Sequence, residues 1–516
     1  MKGVAPGVIW VVLKSILWAD GEEVRIAAEG PDFFIDLNVA SIVDGIISGY
    51  DDYNLRPIFH TIPKSVDTVI YRQEIFKDLQ NPEVLEILKN FSASMRNVYR
   101  RLSGIENLNE YQKQGWFLDA SLLYLETMVD LEGNLKNADL ASRGLKAFRD
   151  YIREYVNSPS FREDYADAHR VKANLSSIRY ELTIGPSKVT VWKDKGKENY
   201  NEVVRQAFSK FRENRMKTEK VRRFSDHSMN SVETEVLVLL ARLFPEEFRE
   251  LRSFFENRKD IIDPVVALIY RELQFYMSYL EYISPLTKIG LEFCIPEITS
   301  GNDVYCFGSF DLALAQKKSS SGSAVVTNDF ELSGDENIIV VTGPNNGGKT
   351  TFSRAFGQAF FLASLGLPVP GRKARLFVAD NIYTHFEKSE EPENLRGKLE
   401  DDLMRMRKIL DSVTEKSVII INEMLGSTNS NDAILIGKKI IELIRRKKSI
   451  CVYVTFFDEL ARIQGVVSMV AQVDLSAPEL RTFKVTRSEP NGLAYARAIA
   501  EKYRLTYDEI LRRIKG

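Results

Sequence analysis

Ile338-Ile339-Val340-Val341-Thr342-Gly343-Pro344-Asn345-Asn346-Gly347-Gly348-Lys349-Thr350-Thr351 is the stretch that decides the fold. Its first four residues form an apolar, largely β-branched run suited to a buried parallel strand. After Thr342, the eight residues Gly343 to Thr350 fit G-x-x-x-x-G-K-[ST]. Glycines at those positions let the backbone curl until successive N–H groups point inward at phosphate oxygens. A helix starting near Lys349, and running from Thr351 to about Leu365, adds the positive end of its dipole. Lys349 can reach the β- and γ-phosphates, and the Thr350 hydroxyl can ligate Mg²⁺. The spacing points to a nucleoside triphosphate, held by Gly343, Pro344, Asn345, Asn346, Gly347, Gly348, Lys349, Thr350 and Thr351.

Downstream, Ser417-Val418-Ile419-Ile420-Ile421-Asn422-Glu423 is an apolar strand ending in two polar residues. In phosphate-loop enzymes such a strand end carries the acid that helps hold Mg²⁺. A neighbouring carboxylate can take a proton from the attacking water. Here Asn422 offers an uncharged side-chain oxygen, as a direct or second-sphere metal partner, and Glu423 supplies the carboxylate. The same residues would also serve simply to end a structural strand.

Further landmarks follow in order. They are Gly366-Leu367-Pro368-Val369-Pro370, Asp380-Asn381-Ile382-Tyr383-Thr384, the run Asn422 to Ala433 (NEMLGSTNSNDA), and Thr455-Phe456-Phe457-Asp458-Glu459-Leu460. Upstream stands Val326-Thr327-Asn328-Asp329-Phe330. With TGPNNGGKTT at Thr342–Thr351, these pieces resemble the ATPase domain of the MutS family, the DNA mismatch-binding proteins. The likeness is clearest over 301–516 and weaker over about 35–300. It implies ATP and Mg²⁺ as cofactors, Asn328 and Ser430 as further nucleotide contacts, and Lys349 and Glu423 as the catalytic pair. It also implies a homodimer in which each phosphate loop is completed by the partner's Ser427–Ser430 segment. Departures accompany the likeness. Asn422 replaces the family's aspartate, Phe456 stands where a histidine is usual, and the signature loop lacks its arginine-glycine pair. The resemblance therefore implies a short, divergent member without the family's N-terminal mismatch-recognition and connector domains.

The fold class expected is multidomain: an α-helical core and lever with a small β insertion, then an α/β P-loop NTPase domain of MutS/ABC type. The boundaries expected are 1–60 for a leading segment, 61–300 for the helical part and 301–516 for the ATPase. Val84, Leu88, Phe91, Met95, Val98 and Leu102 step by four and three, as one helix face does. Val266, Ile269, Leu273, Tyr276, Leu280 and Ile283 repeat the pattern, as do Leu145, Phe148, Ile152 and Tyr155. Tyr180–Ile184 and Lys188–Trp192 read as two strands around Gly185-Pro186-Ser187. Ser319–Ser323 reads as a surface loop.

The chain has 516 residues, 28% of them charged, with a formal net charge of −2, so any nucleic-acid surface must be local. Between Lys188 and Arg223 twelve basic residues face five acidic ones. Such local charge would suit phosphate contacts with DNA, although a basic helix is more often a solvated face. Three scattered cysteines and four histidines give little material for a disulfide framework or a histidine metal site. Lys14 interrupts the apolar run Gly7–Leu13, which reads as a buried strand or an imprecise start, and no stretch approaches a membrane span. A cytoplasmic protein is expected. Two rival readings remain: a nucleotide-gated scaffold with little hydrolysis, favoured by Asn422 and Phe456, and an ABC ATPase of other ancestry. The latter would need an LSGGQ-type signature, and none occurs between Arg396 and Lys416.

Overall fold

The computed structural model describes residues 15–22, 27, 29–106, 108–185, 188–194, 229, 231–319, 321–387, 398–426, 428–474, 481–490, 503 and 505–515. Among them the chain forms two compact units. One is drawn from Glu83–Ala138 and Phe148–Ala267, the other from Leu13–Pro82, Asp139–Ala147 and Leu268–Gly516. The whole is a mixed helical and α/β multidomain chain. No helix among the described residues is long and apolar enough to cross a membrane.

The first unit is helical. Helix Pro82–Ser103 buries Val84, Leu88, Phe91, Met95 and Val98, as their spacing predicts. Helix Glu110–Lys136 starts at Asn109, whose side chain accepts from the Gln112 amide at 3.0 Å. Helix Pro159–Ser177 starts at Ser158, which accepts from the Phe161 amide. Each cap satisfies one of the donors a helix start leaves open. Arg258 bridges Asp164 and Asp167, both at 2.6 Å, and so ties the helix Pro159–Ser177 to the chain following helix Pro245–Asn257. The expected hairpin is present: Tyr180–Ile184 pairs antiparallel with Val189–Lys193. The basic stretch that follows lies beyond Asp194 outside the described residues.

The second unit is built on a six-stranded sheet. Its order is Asn381–Phe386, Ser417–Asn422, Ile450–Val454, Ile338–Thr342, Val467–Val473 and Arg481–Arg487. The first five run parallel and the last is antiparallel. The strands Ile338–Thr342, Ser417–Asn422 and Ile450–Val454 are buried at every residue, which is why their sequences are nearly continuous in apolar residues. The same unit holds a four-stranded sheet of Glu297–Ile298, Lys373–Leu376, Val304–Ser309 and Asn328–Leu332, and a two-stranded one of Phe293–Cys294 and Val369–Pro370.

Helix Lys349–Ser364 follows the strand Ile338–Thr342 and is buried on nearly all faces. Residues far upstream line its back. Phe33 and Phe34 meet Phe361 edge-on at centroid distances of 5.7 and 5.2 Å. Gln358 Nε2 donates to the Leu37 carbonyl and Arg354 Nε to the Asp36 carbonyl. Gly357 gives Leu37 its place, because a Cβ would stand 2.5 Å from Leu37 Cδ1 and that side chain would have to shift.

Helix Pro264–Lys288 buries the stripe its spacing predicts, at Val266, Ile269, Leu273, Tyr276 and Ile283, and burial extends further: every residue from Glu272 to Tyr279 is buried. Its polar members are absorbed locally: the Glu272 carboxylate accepts from the Ser15 hydroxyl and the Ile16 amide. Burial pushes that carboxyl above its ordinary range.

Candidate nucleotide site

The loop after strand Ile338–Thr342 takes its shape from positive backbone angles. Gly343 has φ +118°, Asn346 +58° and Gly348 +94°. Two of its glycines also have no room for a side chain. A Cβ on Gly343 would come 3.0 Å from the Ala471 backbone, and one on Gly347 would meet the Pro344 carbonyl at 3.0 Å. The Gly347 amide donates to that same carbonyl, closing the curl. Gly348 is the N-cap of helix Lys349–Ser364, so the open N–H groups of the first turn lie at the loop.

Lys349 Nζ donates to the carbonyls of Gly343 at 2.9 Å and Pro344 at 3.0 Å. It stands 4.6 Å from the centre of the Phe456 ring. Burial lowers the pKa of this ammonium, Glu423 raises it, and Arg481 lowers it again.

Beside the loop, the Thr350 hydroxyl donates to Asn422 Oδ1 at 3.0 Å. Asn422 ends its strand almost fully buried, and the chain then turns at Glu423, whose φ is +55°. A non-glycine residue held there stores about 1 kcal/mol or more of strain, which the surrounding structure must offset. The Glu423 amide keeps the sheet ladder by donating to the Val454 carbonyl. Burial raises the Glu423 carboxyl pKa, Lys349 lowers it, and Glu387 raises it.

A cleft of about 700 Å³ opens between these groups. It is lined by Asn345 to Thr351, by Glu423, and by the apolar Leu314, Val326 and Phe483. Of the residues expected at the site, Gly343, Pro344 and Asn422 do not line the cleft. They act on it through the Lys349 and Thr350 contacts just given. Asn328 lines it, but its amide is engaged with the edge strand: Nδ2 donates to the Phe483 carbonyl and Oδ1 accepts from the Val485 amide. Ser430 is the exposed first residue of helix Ser430–Lys447 and is not part of this cleft's lining. Ser427 lies outside the described residues. Sequence reasoning missed Lys318, Phe483 and Arg481. The first two line the cleft, and Arg481 Nε donates to the Asn345 carbonyl at 3.1 Å. Only tertiary pairing brings them to the loop.

Fold and site together define the class: an open α/β sheet carrying a G-x-x-x-x-G-K-T motif at a strand-to-helix turn. A family model described as MutS domain V matches residues 339–501. The DNA mismatch repair protein MutS of Clostridium kluyveri is 24% identical over 408 residues, covering 77% of this chain and 44% of that protein. The MutS of Clostridium beijerinckii is 21% identical over 495 residues, covering 92% and 51%. Endonuclease MutS2 of Gemmatimonas aurantiaca is 30% identical over 186 residues, covering 35% and 23%. The chain spans about half the length of the curated MutS relatives it matches. Residues 339–501 are thus similar to MutS domain V, and most of the chain is similar at low identity to MutS proteins.

Proposed function

We propose that this chain binds ATP with Mg²⁺ at the glycine-rich loop and hydrolyses it slowly, working as a homodimer on DNA in mismatch repair or related repair and recombination. The observation that carries the reading is the Thr350–Asn422 hydrogen bond at 3.0 Å, beside Lys349 and Glu423 in one cleft. The residues fit a magnesium triphosphate. Gly343 and Gly347 leave no space that a Cβ could occupy, and the oxygens of Thr350 and Asn422 are adjacent. Those two residues would hold the metal, which when bound supplies positive charge to the phosphate oxygens.

The chain's own groups divide the remaining work. The loop amides and the first turn of helix Lys349–Ser364 cradle negative charge. Lys349 supplies a cation on the same side. Glu423 takes a proton from water, and its raised pKa makes it a stronger base than an exposed glutamate once ionised. Ser430 would serve the cleft of a second copy. The association with DNA is supported by the similarity to DNA mismatch repair proteins and by the basic excess in Lys188–Arg223.

A second reading, a nucleotide-gated scaffold with little turnover, is favoured by two features. Asn422 brings no charge to the metal, and the Phe456 ring lies against Lys349. Steady-state ATP hydrolysis with and without duplex, mismatched and branched DNA separates them. Slow turnover that DNA alters supports the first reading. Saturable ATP binding with no turnover in any condition supports the scaffold.

A further inference from the structure

We propose that Arg481 is a positioning residue of the glycine-rich loop, acting through the Asn345 carbonyl, which it holds by a hydrogen bond from 136 residues downstream. The proposal rests on the reading of the loop as a nucleotide site. Three successive loop carbonyls accept from cationic donors: Gly343 and Pro344 from Lys349, and Asn345 from Arg481. A trans peptide is planar, so its N–H points opposite to its C=O. Holding the Asn345 carbonyl therefore fixes the direction of the N–H of Asn346, a residue that lines the cleft. Asn346 sits at φ +58° without being glycine, so its conformation needs support from outside the loop.

The neighbouring strands are arranged to give that support. Arg481 opens the edge strand Arg481–Arg487 and pairs with Val473, just past a register break at Ala471. Ala471 itself closes on Gly343 and Gly347, and Phe483 lies 3.6 Å from where a Gly348 Cβ would be. The Asn328 amide locks the same edge strand at Phe483 and Val485. Two paired strands thus carry one donor and two packing surfaces to the loop. The Arg481 charge also acts on Lys349, whose pKa it lowers. Arg481 thereby brings a further cation to the loop as well as a fixed carbonyl.

The test compares equilibrium binding of ATP and ADP, with steady-state kcat and KM, in wild type, Lys349→Ala, Arg481→Gln and Arg481→Lys. Arg481→Gln should weaken binding of both nucleotides and raise KM by about fivefold, the loss of one charge-assisted hydrogen bond, with kcat changed less than about twofold. Arg481→Lys keeps a donor and a charge and should recover most of that loss. Should Gln destabilise the chain, Arg481→Met keeps the aliphatic stem and carries the same expectation. If Arg481→Gln binds as wild type while Lys349→Ala fails to bind, the role assigned to Arg481 is wrong and the nucleotide site stands. If wild type itself binds neither nucleotide saturably, the reading beneath the proposal falls.

Discussion

The glycine-rich loop and the strand end beside it differ in what their sequences retain. The loop carries every position of its motif, and its positive φ angles and crowded glycines are those the motif requires. The strand end has an amide at Asn422 where the family has an acid, yet the amide oxygen still accepts from Thr350 at 3.0 Å. The loop keeps geometry and charge; at the strand end Asn422 keeps the acceptor geometry without the charge, which only Glu423 beside it supplies. On the proposed reading, phosphate binding would rest mainly on backbone amides and Lys349, and turnover on the metal and Glu423. The difference teaches that the two functions can be set separately in one cleft.

The sharpest way to break the comparison is at Glu423. Glu423→Gln should lower hydrolysis by about 100-fold or more, the usual contribution of a general base, with nucleotide binding preserved. The wild-type rate should fall on acidification as pH drops through the Glu423 pKa, which burial places above the ordinary value of 4.5. That acid limb should vanish in Glu423→Gln. A variant with unchanged turnover would move the base elsewhere.

The loop's support can be tested from behind. Gly357→Ala places a Cβ 2.5 Å from Leu37 Cδ1 and 3.2 Å from Ile420 Cδ1. Overpacking of this kind costs about 1–3 kcal/mol, partly offset by alanine's helix preference. Thermal unfolding should show a lowered Tm. An unchanged or higher Tm would mean that the Leu37 side chain moves aside at little cost.

The smallest expected effect is at the strand end. Asn422→Asp restores a charged acceptor and should strengthen apparent Mg²⁺ affinity by about three- to tenfold, with hydrolysis equal or faster. No change in Mg²⁺ dependence would show that the missing charge is not what distinguishes the strand end from the loop.

Local features were legible where local chemistry sets them. The run Ile338–Val341 announced a buried strand, seen as Ile338–Thr342, and the motif announced the helix that follows, seen as Lys349–Ser364. The hairpin was announced by β-branched runs around Gly185, and the helix stripe Val84–Val98 by its spacing. What escaped depends on topology. Nothing near Arg481 or Phe483 marks them as neighbours of a loop some 130 residues earlier, because strand order alone brings them there. Leu37 and Gly357 likewise look ordinary in sequence, although each shapes the other's position. Asn328 was picked out by family resemblance, yet its amide engagement with the edge strand needed coordinates.

The central claim is that the loop binds nucleotide whatever the strand end does for turnover. Equilibrium titration of the chain with ATP and Mg²⁺, beside Lys349→Ala, tests it most directly. Saturable binding of one ATP per chain is expected, weakened by about 10- to 100-fold when the Lys349 ammonium is removed, as the loss of charge-assisted contacts implies. Binding in Lys349→Ala equal to wild type, in a folded protein, would contradict the assignment.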